Sequence, residues 1–196
     1  MPWSLHADCT PVCDSLFVLR QLPSLLAIGL WIFLLASTPR AEPSPTADPV
    51  SVALVVDLSG SMALEGRIDE VRRGVAGLSE HLRPRDRIAL VGFNHQAQVL
   101  LPLGPPDPVI QTLLAAAEPE GATDLHAGVM AGASQLARAE GRRRLILVRD
   151  GPSNVGVLDP AALERTIEAL EAEGMEVVVL SPEELAAEWE SVGPGV

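Results

Sequence analysis

Residues Val55 to Met62 read VVDLSGSM: an apolar run delivers one carboxylate, Asp57, and hydroxyls follow at alternate positions, Ser59 and Ser61. The stretch presents three oxygen-bearing side chains and no nitrogen or sulfur. Two further segments offer the same chemistry. The apolar run ending at Val148 is followed by Arg149, Asp150 and Gly151, and the loop EGATDLHAG, Glu120 to Gly128, carries Thr123 and Asp124. Asp57, Ser59, Ser61, Thr123 and Asp150 together make an all-oxygen donor set of low net charge. Hard divalent cations take such donors, and Mg²⁺ in particular asks for octahedral geometry and keeps waters or a ligand oxygen. Singly, each fragment has a plainer role: Asp57 and its serines as a strand-end turn or cap, Thr123 as a helix N-cap, Asp150-Gly151 as a turn. Their occurrence together and in this order, two at the ends of apolar runs and one just before a helix, is what points to one site.

The elements that must position these residues are legible as an alternation. SVALVV (Ser51 to Val56), RIALVGF (Arg87 to Phe93), RLILV (Arg144 to Val148) and EVVVL (Glu176 to Leu180) are short and rich in β-branched residues, the pattern of strands buried on both faces. Between them Leu64, Ile68, Val71, Val75, Leu78 and Leu82 recur at helical spacing. Further helices are expected at Leu125 to Glu140, with Val129, Ala133 and Leu136 inward, and at Pro160 to Glu173, with Leu163, Ile167 and Leu170 inward. Asp159 before Pro160 is a good helix start. QVLLPL, Gln98 to Leu103, reads as an antiparallel partner of the second strand, and Pro102 puts it at a sheet edge. The expectation is a doubly wound α/β fold, a mostly parallel sheet with helices on both faces and one antiparallel edge strand. In such sheets ligands bind beyond the carboxyl ends of the strands, which is where Asp57 and Asp150 fall.

On these residues the chain resembles von Willebrand factor type A domains. Asp57-Leu58-Ser59-Gly60-Ser61 is similar to the D-x-S-x-S motif of that family, and Thr123 and Asp150-Gly151 stand at the expected elements, over about Val50 to Leu180. The resemblance implies a metal-ion-dependent adhesion site. Ser59, Ser61 and Thr123 would contact Mg²⁺ (or Mn²⁺, with Ca²⁺ a further alternative) through hydroxyls, while Asp57 and Asp150 act largely through water and orient the hydroxyls. Neutral hydroxyls leave the cation's charge incompletely quenched, so a carboxylate from an Asp or Glu of a protein partner can complete the coordination. The implied function is divalent-cation-dependent protein–protein binding. An assembly factor or chaperone-like subunit of a membrane or secretion complex would use the same mechanism on another partner. The chain departs from the family at Arg149, where a small or hydroxyl residue is common. The family's last strand–helix unit is not expected before Val196, which reads either as a minimal fold or as a truncated chain, and in both cases the Glu176 to Leu180 strand is expected at a sheet edge.

Several classes are disfavoured by the same residues. A haloacid-dehalogenase-like phosphatase needs a second Asp where Ser59 stands. A P-loop needs a Lys, and all 14 basic residues are Arg, a usage expected of a high-G+C bacterial gene. A serine hydrolase needs G-x-S-x-G, whereas Asp57 precedes Ser59 by two. No catalytic role is therefore expected. With 26 acidic residues the net charge is -12, a surface that repels phosphate backbones and argues against nucleic acid as a partner. Arg142, Arg143 and Arg144 read as a solvated start to a strand. His81, His95 and His126 lack paired zinc spacing, and His126 is expected at the surface near the site. Asn154 and Gly156 are expected to shape the loop after Asp150.

The first fifty residues differ in kind. Residues 1–38 read as a signal peptide or membrane anchor behind a doubtful N-terminal extension. LLAIGLWIFLLA, Leu25 to Ala36, has a signal peptide's length, and with its uncharged flanks it also approaches an anchor's. A start near Val18 would give a more conventional export signal. Residues 39–49 are a Pro-rich linker, and 50–196 form the globular domain, which contains no cysteine. Cys9 and Cys13 have no second pair to make a zinc site and read as silent. The expected location is exported: periplasmic, cell-surface or membrane-anchored.

Overall fold

The structure is a computed structural model that describes residues 48–191. The export or anchor segment with Cys9 and Cys13, the linker up to residue 47, and residues 192–196 lie outside the described residues.

Strand β1, Val50–Asp57, is the central strand of a five-stranded sheet. It pairs in parallel with β2, Arg87–Phe93, on one side and β4, Arg142–Val148, on the other. β3, Ala97–Gly104, runs antiparallel to β2 at one edge, and β5, Met175–Leu180, runs parallel to β4 at the other, giving the order β3-β2-β1-β4-β5. Both edge expectations hold. The β2–β3 register shifts twice, once between the Gly104 and Leu101 pairings, the interval that holds Pro102 with no N–H to donate, and again between those of Leu101 and Val99.

Five helices accompany the sheet: α1, Arg67–His81; α2, Val109–Ala116; α3, Leu125–Leu136; α4, Pro160–Ala172; and α5, Pro182–Ser191. The period of two in β1 divides the core into two layers. Val52, Leu54 and Val56 face Val71, Val75 and Leu78 of α1, with Ile110 and Leu114 of α2 and Leu185 of α5. Ala53 and Val55 face Val129, Ala133 and Leu136 of α3, with Leu145 and Leu147 of β4. Each fully buried aliphatic side chain contributes roughly 1.5–3 kcal/mol. These two layers hold β1 along its whole length.

Local differences from the sequence reading have local causes. Leu64 continues the helical spacing back from Ile68 but is 59% exposed, because Glu65 and Gly66 adopt positive φ (54° and 73°) and turn the chain before α1 begins. A 3₁₀ turn, Gly60–Ala63, fills the interval. Helix α2 was not foreseen, since the prolines before it mask its short periodicity. Helix α3 stops at Leu136, four residues short of the expected end. Helix α4 starts as expected, with Asp159 accepting from Ala161 N–H and Pro160 in the first turn, but its apolar residues are only partly buried. Helix α5 closes one layer: Leu185 lies so near Gly74 of α1 that a Cβ there would come within 2.6 Å of its Cγ.

This docking predicts that Leu185→Ala lowers the unfolding free energy by about 2–4 kcal/mol. Leu64→Ala should stay within about 0.5 kcal/mol, as for ordinary surface changes. Urea denaturation of the two variants checks both, and a neutral Leu185→Ala would mean that α5 contributes no packing.

Candidate functional site

The sheet order reverses at β1: the chain passes from β1 to β2 on one side and reaches β4 on the other. In sheets of this kind the ligand crevice lies at that switch point, outside the carboxyl ends of the strands. Asp57 ends β1, and Asp150 follows two residues after β4.

Asp57 is fully buried. One oxygen, Oδ1, accepts the Ser59 N–H at 2.8 Å; the other, Oδ2, is buried and has no hydrogen-bond partner among the described residues. Its pKa is raised to about 6, chiefly because burial strips water from the charge. Hydrogen bonds from Ser59 oppose the shift, nearby Asp150 adds to it, and Arg149 opposes it weakly. Ser59 is buried too, and its hydroxyl lies 3.1 Å from that of Ser61.

Main-chain bonds fix the loop that carries the serines. Leu58 N–H donates to Phe93 O at 2.6 Å, Gly60 N–H to Gly121 O at 3.0 Å, and Glu120 N–H to Leu58 O at 2.8 Å. The first loop is thereby stitched to the end of β2 and to the loop bearing Thr123.

Thr123 is buried, and the structure assigns the helix cap to its neighbour. Asp124 is the N-cap of α3, accepting from Ala127 N–H at 3.0 Å, which corrects the reading of Thr123 as the cap. The Thr123 hydroxyl makes no hydrogen bond among the described residues. Its main chain is clamped instead: Thr123 N–H donates to Asn154 Oδ1 at 2.7 Å, and Asn154 N–H donates back to Thr123 O at 3.0 Å. Ser153 Oγ accepts from Leu125 N–H at 3.0 Å. Asn154 thus shapes its own loop and also holds the neighbouring one. Gly156, at φ 69°, supports this packing, since a Cβ there would fall 2.0 Å from an Asp124 carboxylate oxygen.

Asp150 is nearly buried and ion-paired, its Oδ2 accepting from Arg67 Nη1 at 3.0 Å. The same nitrogen donates to Ser61 O at 3.3 Å, so Arg67 ties the Asp150 loop to the serine loop. Arg149 turns back to donate to Gly151 O at 2.9 Å. His126 is half-buried rather than at the surface, and its Nδ1 is buried without a partner among the described residues. Sequence reasoning missed Arg67 and Ser153. A cation in the first turn of a helix, where the dipole disfavours it, was the signal available for Arg67.

Three loops thus converge. The hydroxyls of Ser59 and Ser61 adjoin, Asp57 orients Ser59 through its main chain, Arg67 links Asp150 to Ser61, and Asn154 fixes Thr123. Among the described residues no group of three or more His, Cys, Asp or Glu is placed to hold a metal, so any cation here would depend on hydroxyl ligands.

Comparison with known proteins bears on this fold. The family described as von Willebrand factor type A domain matches residues 52–152. YfbK of Escherichia coli (strain K12) is 27% identical over 151 residues, covering 74% of this chain and 26% of YfbK, so the chain spans about a quarter of that relative. An aerotolerance-related membrane protein from Bacteroides fragilis superposes with a TM-score of 0.58 at 22% identity, over 67% of each chain. The pilus adhesin SpaC from Lactobacillus rhamnosus GG gives 0.51 at 24% identity, over 57% of this chain and 16% of its own. At these identities the two structures show likeness of fold.

The buried charge of Asp57 sets a pH dependence for the protein in chelator. Its folded pKa, about 6, exceeds the ordinary 3.8, so the folded state holds the proton more tightly. Stability from this group is therefore greatest in acid, falls as pH rises from about 4 to about 6, and is lowest above. The loss is on the order of 2–3 kcal/mol. Asp57→Asn keeps an acceptor for Ser59 N–H and removes the charge. It is expected to raise the melting temperature at pH 7 in EDTA and to flatten this part of the pH profile. A variant less stable than wild type at pH 7 would contradict the assignment.

Proposed function

This chain belongs to the von Willebrand factor type A domain family, and from that premise we propose that its three converging loops bind a divalent cation, Mg²⁺ or Mn²⁺ before Ca²⁺, and through it a carboxylate of a protein partner. The observation that carries the reading is Asp57 Oδ2, a carboxylate oxygen buried at the end of the central strand with no partner among the described residues. Leaving such an acceptor unsatisfied costs about 1–3 kcal/mol and asks for a compensating group. The all-oxygen donor set fits a hard cation.

Ser59, Ser61 and Thr123 would hold the ion through hydroxyls, with Asp57 and Asp150 supplying charge around them. When bound, the cation supplies an electrophilic position that a partner's Asp or Glu can occupy. The chain's own residues prepare for this. Asp57 fixes Ser59 through its main chain, Asn154 fixes Thr123, and Asp124 takes the helix cap and so leaves the Thr123 hydroxyl free.

Binding is favoured over catalysis because neither Ser59 nor Ser61 hydrogen-bonds a histidine among the described residues, and their hydroxyls face each other instead. An extracytoplasmic location, at the surface or beside a membrane, accords with the fold's likeness to a pilus adhesin and a membrane protein. Among the described residues no helix is long and apolar enough to cross a membrane; the apolar segment Leu25 to Ala36 lies outside them.

Calorimetric titration of Mn²⁺ into the protein is expected to show one site, weakened at least tenfold in the Ser59→Ala, Ser61→Ala double variant. Metal ligands and their orienting groups commonly carry effects of that size. A well-folded wild type that takes up neither Mn²⁺ nor Mg²⁺, with or without added carboxylate, would remove the metal from the mechanism.

A further inference from the structure

Arg67 begins α1 where neither its charge nor the backbone before it is locally favourable. The positive end of a helix disfavours a cation, and Glu65 reaches this point with φ 54°, a region that residues with side chains seldom occupy. Local conflict of this kind persists when the surrounding structure holds it, and it is a pointer to function. Here the holding contacts are explicit. Nη1 donates to Asp150 Oδ2 at 3.0 Å and to Ser61 O at 3.3 Å, and Nη2 donates to Glu65 Oε2 at 2.9 Å. The Asp150 side chain is 6% exposed, so its pairing is sheltered from solvent, whereas Glu65, 78% exposed, lies on the rim where water and salt screen it. Among the described residues Arg67 hydrogen-bonds the carboxylate of a candidate ligand, whereas Arg149 gives its hydrogen bond to Gly151 O and acts on Asp57 only weakly, through space.

We infer that Arg67 determines the specificity of the proposed metal site: by compensating the charge of Asp150 it weakens uptake of the cation alone and makes the loaded site select an anionic carboxylate over a neutral oxygen ligand. The inference rests on the proposed function and deepens it. Even acting through water, Asp57 and Asp150 place two negative charges beside the ion and weaken the pull of its open position on an external carboxylate. With the guanidinium bonded to one of them, the loaded site keeps an excess positive charge directed at whatever fills the open position. The same excess opposes the metal before the partner arrives. Metal and partner carboxylate therefore bind with positive coupling, each raising the affinity for the other.

The test uses Mn²⁺ and acetate as probes on the full chain. Calorimetry reads Mn²⁺ affinity, and water-proton relaxation of the Mn²⁺-saturated protein reads displacement of bound water by acetate, with acetamide as the neutral counterpart. Arg67→Gln keeps an N–H donor for Asp150 and removes the charge. It is expected to bind Mn²⁺ about tenfold more tightly and acetate about tenfold more weakly, the scale of one nearby unit charge in a partly buried site. Arg67→Lys keeps the charge and should stay within about threefold of wild type for both ligands, which also covers the case in which the Gln variant folds poorly. The inference is overturned if wild type binds Mn²⁺ but Arg67→Gln binds it no more tightly, or if the Lys and Gln variants shift alike. A wild type that takes up no Mn²⁺ overturns the metal reading itself, and this inference with it.

Discussion

A carboxylate buried at the end of the most buried strand is the constraint on which the rest of the site depends. β1 is enclosed by a strand on each side and by a layer of helices on each face, so the residue that ends it is carried away from water whatever its chemistry. Asp57 meets that enclosure with one oxygen satisfied by Ser59 N–H and one satisfied by nothing in the described residues. Burial raises its pKa and makes its charged form a standing cost to the fold. The two serine hydroxyls that follow it in sequence adjoin each other 3.1 Å apart.

Precision in the site comes from main-chain bonds more than from side-chain packing. The serine loop is joined to the end of β2 and to the Thr123 loop, and the Thr123 loop is joined to the Asn154 loop. These bonds satisfy the backbone groups that buried loops must pair and hold the three loops beside one another. The division of labour between Thr123 and Asp124 follows the same logic. Because Asp124 caps α3, the neighbouring hydroxyl stays available, and Gly156 lets the third loop lie against that cap without a side chain in the way. Loops mounted on a rigid sheet and cross-linked in this way hold a geometry that isolated turns would not.

Electrostatics give the site its direction. The chain is strongly acidic overall, yet two arginines stand at the crevice, and one of them is ion-paired with a nearly buried carboxylate. Exposed ion pairs contribute little, but this one is partly enclosed and joins two loops that the backbone alone does not connect directly. It makes Asp150 and Ser61 parts of one unit, although they belong to segments far apart in sequence.

Much of the fold was determined by the sequence alone. Short β-branched runs at helical intervals specify parallel strands enclosed on both faces, Pro102 marks an edge, and Asp159-Pro160 starts a helix, because strand and helix periods and turn chemistry are local properties. The motif at Asp57 was legible for the same reason: alternate residues after a strand end present their oxygens together. The tertiary structure alone decided what local spacing cannot carry. Leu64 fits the helical stripe in sequence, but two left-handed residues place it outside the helix. Spacing alone offers Thr123 as the cap, but the structure gives that role to Asp124 while the Asn154 loop clamps the Thr123 main chain. Arg67 reads as an ordinary surface arginine until the fold brings Asp150, 83 residues away, within 3.0 Å of its guanidinium. Pairings at that separation depend on the order of strands in the sheet, a property of the whole chain and of no segment within it.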